Sequence, residues 1–449
     1  MKRIIVRIQP SQKPKDVRFY LEEPSNRFTD DGMLCPFQSR NSPAISKLQL
    51  GKLKPKTVSA AGKWLLKQLS SHPAVSKAIT HLLALPSTGQ YPIYIQAQSA
   101  RVEALPWETL CHPTASFLTL HPRWPIGRIT TSDEERTATE YAFNVPIKVM
   151  AVLSALGIPA RPEWDSLYAA MQASQLPIKL RVLVSEDQLY THIRSLNDAD
   201  IEVAAIPDDA NRLQKDIADF APSILHFFCH GDDTNGPTLQ VARREDWQKM
   251  FGLGSIALKT ESLVDTIPPL NKQAWLVTLN CCNSGSVVKN GEGFSRSLVG
   301  KGFPVVIGMR EAVVNTDAHL FCHSLYEECF ARIKWELDQK SETFEICWPA
   351  LLSSARERLG MKHAKGKRMP DAADELKQWT LPILYTRKQD IKLRPLFNQS
   401  EIIVSRIATT GEIGEVLSTI PGTPEGVLDQ INSHTDHTRK EMVATAGAS

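Results

Sequence analysis

The chain has 449 residues, 42% of them hydrophobic and 22% charged, with a formal net charge of +3 at pH 7. That length allows two or three domains around a sizeable core, and the near-neutral balance gives no field of the kind that draws a protein to nucleic acid or a membrane surface. Eight cysteines are scattered at positions 35, 111, 229, 281, 282, 322, 329 and 347 with no CxxC pair, which argues against both a secreted disulfide scaffold and a structural zinc site. The opening MKRIIVRIQPSQ has no signal-peptide core, and no apolar run reaches the length of a membrane span. The expected compartment is the reducing cytoplasm, where thiols stay free.

In chain order, Ile4 to Ile8 reads as a strand, and residues 22–56, rich in Pro, Ser, Asn and Lys, read as loop. Residues 57–85 have helical spacing through Trp64, Leu65, Leu69, Val75, Ile79 and Leu82, split in two by Pro73. Tyr91 to Ala97 reads as a strand. From about residue 140 the alternation is plain. The near-continuous apolar run 146–154 predicts a strand buried on both faces, followed by a helix over 162–174, a strand over 178–184, a helix over 187–196, a strand over 201–206, a helix over about 209–219 and a strand over 224–229. Two more buried strands are expected at 275–281 and 303–309. Strands alternating with helices imply parallel pairing through right-handed crossovers. The basic cluster Lys362, His363, Lys365, Lys367 and Arg368 reads as a solvated loop.

In such sheets the functional groups sit just beyond the carboxyl ends of the strands. SILHFFCHGDD places His230 and Gly231 at one strand end, and WLVTLNCCNSGS places Cys281 and Cys282 at another. A thiol is a nucleophile only as thiolate and needs a nearby base. His230 precedes Cys282 by 52 positions, and a separation of about 50 in the order His then Cys is the caspase spacing. Alone, a strand-end Cys is a small core residue and a lone His a satisfied one. Together at one sheet edge, each followed closely by glycine, they point to catalysis. Cys281 continues the strand alternation into the core, and Cys282 is the first residue clear of it. The backbone N–H groups of Gly231 and Cys282 are the candidate oxyanion hole. His226 and His230 form an HxxxH pair on a strand, but no third ligand is evident, so no metal is expected. No phosphate-binding glycine motif is present: Gly291–Gly293 and Gly300–Gly302 lack the spacing.

Six segments in order resemble the CHAT domains of the caspase-like (clan CD) cysteine proteases, over roughly residues 90–387: Leu105–Leu110 (LPWETL), Ile224–Gly231 (ILHFFCHG), Val277–Gly285 (VTLNCCNSG), Gly293–Met309 (GFSRSLVGKGFPVVIGM), the helical ECFARI and SSARERL, and Gln378–Tyr385 (QWTLPILY). The resemblance implies a caspase-hemoglobinase-like α/β sheet, mostly parallel with helices on both faces, in a catalytic domain over 131–388. A smaller α/β buttressing half over 1–130 and a tail over 389–449, with an edge strand at Ile402–Ile407, complete the expected organisation. It implies a cysteine endopeptidase with Cys282 as nucleophile and His230 as base, needing no metal or organic cofactor and held latent until an activating partner or signal rearranges it. Its substrate is a protein, such as a gasdermin-like pore former in bacterial antiviral defence. By the same resemblance Asn280, two positions before Cys282, lines the pocket for the residue before the scissile bond. Asp232, Arg310 and Glu311 are further candidate substrate contacts. The chain departs from the family in carrying Asn280 for Ser, Met309 before Arg310 where a Trp is common, and no preceding TPR array. The contrasting expectation is a catalytically silent scaffold on the same fold.

Overall fold

The computed structural model describes residues 3–12, 16–22, 32–36, 42–49, 53–86, 88–114, 116–130, 139–232, 236–244, 246–248, 255–267, 269–285, 293–367, 369 and 371–396. The chain divides into a compact unit, Met1–Arg394, and a second, Pro395–Ser449. Nearly all of the second lies outside the described residues, as does the strand expected at Ile402–Ile407.

One twelve-stranded sheet runs through the first unit. Its strands are β1 (Ile4–Pro10), β2 (Asp16–Glu22), β3 (Met33–Pro36), β4 (Ile93–Ala97), β5 (Ile126–Ile129), β6 (Ile147–Leu153), β7 (Ile178–Val184), β8 (Ile201–Ala205), β9 (Ile224–Phe228), β10 (Leu276–Leu279), β11 (Val305–Met309) and β12 (Pro382–Thr386), in the order β8-β7-β6-β9-β10-β11-β12-β5-β4-β1-β2-β3. Strands β6 to β11 pair in parallel, and so do β12, β5, β4 and β1. Between the two blocks β11 and β12 run antiparallel, with Val305 opposite Thr386 and Met309 opposite Pro382. The carboxyl ends of the two blocks therefore open on opposite edges of the sheet. The central strands are buried along their whole length, as their unbroken apolar runs require.

The principal helices are α1 (Thr57–Leu69), α2 (Pro73–Ala84), α3 (Arg161–Ser174), α4 (Asp187–Ser195), α5 (Ala210–Phe220), α6 (Phe294–Gly300), α7 (Asn315–Asp338) and α8 (Trp348–His363). On one face of the sheet, Leu213, Ile217 and Phe220 of α5 and Leu298 and Val299 of α6 pack on Met150, Val152, Phe227, Val277, Leu279 and Val306. On the other face α3 and α7 pack against one another. The fold is thus mixed α/β, with a large, mostly parallel sheet covered on both sides.

Two stretches depart from the sequence reading. Residues 22–56, expected as loop, contain β3 and a short helix, Pro43–Gln49. The basic cluster after α8 is not wholly solvated, for Lys362 Nζ and His363 Nε2 each lie 2.8 Å from the buried carboxylate of Asp317 in the first turn of α7. A buried carboxylate needs such partners.

Candidate active site

The turn after β10 is built from its own backbone. Asn283 takes a left-handed φ of 58°, which asparagine tolerates better than most residues. The Ser284 hydroxyl lies 3.0 Å from the Leu279 carbonyl and 2.8 Å from that of Cys281, and it accepts the Met309 amide at 3.0 Å. The Gly285 amide donates to the Met309 carbonyl at 2.8 Å. A Cβ on Gly308 would sit 2.2 Å from the Ser295 hydroxyl and 2.9 Å from Ser284 Oγ, so only glycine lets β11 approach the turn this closely. The turn is thereby pinned to the next strand.

Cys282 sits on this turn. Of the eight cysteines it alone is not buried. Burial of the sulfur still pushes its thiol above the ordinary value, opposed by the Val313 amide and its own amide, which donate to the sulfur. Cys281 points the other way, into the core, with its sulfur 3.3 Å from that of Cys229.

His230 opens a short strand, His230–Asp232, that leaves the main sheet to pair with Thr238–Ala242. Its Nε2 lies 2.7 Å from the Leu156 carbonyl oxygen. A carbonyl only accepts, so Nε2 carries a proton, and in the neutral ring Nδ1 is left with the lone pair. The following Gly231 is in direct contact with the Cys282 turn: a Cβ there would lie 2.0 Å from the Cys282 carbonyl oxygen. The two predicted segments therefore meet backbone to backbone.

The other residues singled out by sequence have specific surroundings. Asp232 accepts the Thr238 hydroxyl through its carbonyl at 3.3 Å. Arg310 Nη2 donates to Thr380 Oγ1 at 3.2 Å and lies 3.6 Å from Glu311 Oε1, and burial pulls its guanidinium below the ordinary value. Glu311 also pairs with Lys377. Both follow β11, close to the Val313 amide that reaches the sulfur. Asn280 is 2% exposed, and its Nδ2 donates to Glu163 Oε1 at 2.7 Å and to the Ala318 carbonyl at 2.9 Å. It lies within a buried network and not at an open rim.

That network is the feature the sequence did not announce. Glu163, in the first turn of α3, is fully buried. Its Oε1 accepts from His226 Nε2 at 3.0 Å and from Asn280, and its Oε2 accepts from His319 Nδ1 at 2.6 Å. Tyr326 of α7 closes the chain, its hydroxyl 3.1 Å from His226 Nδ1. Burial alone would raise the Glu163 carboxyl, but the two imidazoles hold it at about 2. Sequence offered His226 no third metal-ligand partner, whereas the fold brings it, Glu163 and Cys322 within 4.8 Å of one another. The Asn280 amide nitrogen, fixed by two acceptors, aims an N–H at the same carboxylate, and such a donor opposes a cation there. A hydrogen-bonded network accounts for the cluster.

With a His–Gly strand end packed on a cysteine turn at the edge of a parallel sheet, the protein has the anatomy of a caspase-like fold. The sequence matches the CHAT domain family over residues 59–339, more than half of the chain, and the chain belongs to that family. No curated protein matches it. Among solved structures it is similar to a chain of the Saccharomyces cerevisiae separase–securin complex, with a TM-score of 0.35 and 11% identity over 72% of this chain and 17% of that one. A second structure of that complex gives a TM-score of 0.34 and 11% identity over 68% and 15%. The chain spans less than a fifth of the length of these structural relatives. Among the described residues no helix is long and apolar enough to cross a membrane.

Proposed function

We propose that the chain is a cysteine endopeptidase in which Cys282 is the nucleophile and His230 its base. The observation that carries this reading is the contact of the His230–Gly231 step with the backbone of Cys282, the one cysteine that is not buried. The Leu156 carbonyl fixes the tautomer in which Nδ1 can take a proton. In the reaction, Nδ1 removes the thiol proton as sulfur attacks the peptide carbonyl, and the amides of Gly231 and Cys282 hold the oxyanion. The imidazolium then protonates the leaving amine, and water, deprotonated by the same nitrogen, releases the acyl group and the thiol. No metal or organic cofactor enters these steps.

The raised Cys282 thiol favours a resting enzyme, since at neutral pH the sulfur stays protonated until the site rearranges. A partner or signal that draws the half-buried sulfur further out supplies the trigger. The substrate we propose is a protein encoded alongside this chain. The defence role and the gasdermin-like effector rest on the family resemblance, and the cytoplasmic location on the scattered cysteines of the sequence. Asp232, Arg310 and Glu311 remain the proposed contacts for the residues flanking the scissile bond, Asn280 joins them only once the rearrangement frees its amide from Glu163 and Ala318, and residues 1–130 are the proposed buttress of a catalytic domain over 131–388.

The same raised thiol favours, as a second reading, a silent scaffold. A cleavage assay against the neighbouring gene products, comparing the intact chain with Cys282→Ala and mapping the new termini, separates the two. Cleavage by the first alone supports the protease. Cleavage equal in both, or in neither with every candidate activator present, supports the scaffold.

A further inference from the structure

We propose that Glu163 is a positioning residue for the dyad: one buried carboxylate that holds in register the three segments surrounding the Cys282 sulfur. The inference rests on the protease reading above and deepens it.

Each of the three segments sends at least one donor to that carboxylate, and α7 adds the Cys322 thiol. His226 lies on β9, two residues beyond whose end His230 stands, and donates from Nε2 at 3.0 Å. Asn280 stands two residues before Cys282 and donates from Nδ2 at 2.7 Å. His319, in α7, donates from Nδ1 at 2.6 Å, and α7 begins just after Val313, whose amide reaches the sulfur. The Ala318 carbonyl, one residue before His319, takes the second proton of the Asn280 amide at 2.9 Å, which ties the segment after β11 directly to the cysteine turn. The tautomer follows: an ionised carboxylate only accepts, so His226 Nε2 is the donor, and in the neutral ring Nδ1 accepts a hydrogen bond from the Tyr326 hydroxyl at 3.1 Å.

The physical case is one of cost and precision. A fully buried carboxylate persists only if its lone pairs are taken, and a leucine at this position would cover the sheet with no such demand. What the carboxylate supplies is directional: it sets a distance to three backbones at once, which apolar packing does not. Displacing a reacting group by about 1 Å can cost on the order of 100-fold in rate. Loosening this anchor therefore falls on the dyad before it falls on the fold.

The test uses the full chain with the candidate activators present and does not require the natural substrate. The rate of Cys282 alkylation by iodoacetamide at pH 7.5, read by mass spectrometry of the Cys282 peptide, is measured for the native chain, His230→Ala, Glu163→Gln and Asn280→Ala, with thermal unfolding followed in parallel. Leu213→Ala, in the core on the opposite face, serves as a variant destabilised elsewhere. The expected result is a fall of about 10-fold or more in the Cys282 rate for Glu163→Gln while it remains folded, with no fall for Leu213→Ala at a comparable loss of Tm. The double variant Glu163→Gln/Asn280→Ala should be no slower than the slower single one, since residues acting as a unit are non-additive. Once a cleavable substrate is in hand, the loss should appear in kcat with KM changed less than about 2-fold. Should Glu163→Gln not fold, Asn280→Ala and His319→Ala, each removing one donor, carry the same expectation. An unchanged alkylation rate in the folded variants, or one that merely tracks Tm as in Leu213→Ala, overturns the inference. A native chain whose Cys282 rate is insensitive to His230→Ala overturns the protease reading instead.

Discussion

At Gly231 the missing side chain is a packing requirement. A methyl group there would overlap the Cys282 carbonyl oxygen at 2.0 Å, so Gly231→Ala must push the histidine step off the cysteine turn. The expected cost is about 1–3 kcal/mol in urea unfolding, with a loss of His230-dependent Cys282 reactivity, whereas unchanged stability and reactivity would show that the two backbones do not touch. Glu163 gives a pH test with a defined sign. Its folded value of about 2 lies below the ordinary 4.5, so its contribution is fully present above about pH 4.5 and is lost as pH falls through 2. Its size is on the order of 3 kcal/mol. Unfolding free energy measured from pH 5 down to 2 should fall more steeply for the native chain than for Glu163→Gln, and parallel curves would contradict the assignment. The residues of the proposed dyad stand out in sequence because each ends a strongly apolar run. Glu163 does not, since a glutamate in the first turn of a helix is the ordinary solvent-facing choice, and its burial depends on where α7 packs. Asn280 was read for an open pocket by resemblance, but its amide is committed to Glu163 and Ala318.

At the scale of elements, the long central strands announced themselves because burial on both faces leaves no polar alternation to confuse with a helix. The structure places β6, β7, β9 and β11 within a residue or two of the expected bounds. Residues 22–56 misled because β3 is a four-residue edge strand whose Met33 and Leu34 are exposed, so it shows neither an apolar run nor a clean alternation. The cysteine turn is held by Ser284, a residue whose smallness the sequence made plain but whose hydrogen bonds it did not. Its buried hydroxyl takes the Met309 amide and faces the Leu279 and Cys281 carbonyls. Ser284→Ala leaves these groups unsatisfied and should cost about 1–3 kcal/mol while slowing Cys282 alkylation. A stability change below 0.5 kcal/mol, roughly the scatter of ordinary surface substitutions, would contradict that role.

For the whole molecule, the seam between the two parallel blocks is flanked by a buried ion cluster. Arg128 of β5, beside β12, donates to Glu108 from Nε at 2.9 Å and from Nη2 at 2.8 Å, and to Glu103 from Nη1 at 3.0 Å. Burial would raise the Glu108 carboxyl, yet Arg128 holds it below the ordinary value. Removing one partner of such a pair strands the other, so Glu108→Gln should cost about 3–5 kcal/mol in reversible unfolding, and a cost under about 1 kcal/mol would show that the guanidinium finds other acceptors. Sequence showed the LPWETL segment but not this pairing, because Glu108 and Arg128 meet only once the seam forms. The antiparallel seam was equally hidden, since parallel blocks of opposite sense give the same strand–helix alternation. The proposed catalysis requires residues 230 and 282 to work together. The most direct measurement is covalent labelling of the intact, activated chain by a peptide carrying a thiol-reactive electrophile, with the modified residue sequenced. The prediction is adduct at Cys282, abolished in Cys282→Ala and strongly reduced in His230→Ala. Adduct spread over other cysteines, or the same Cys282 adduct without His230, would contradict it.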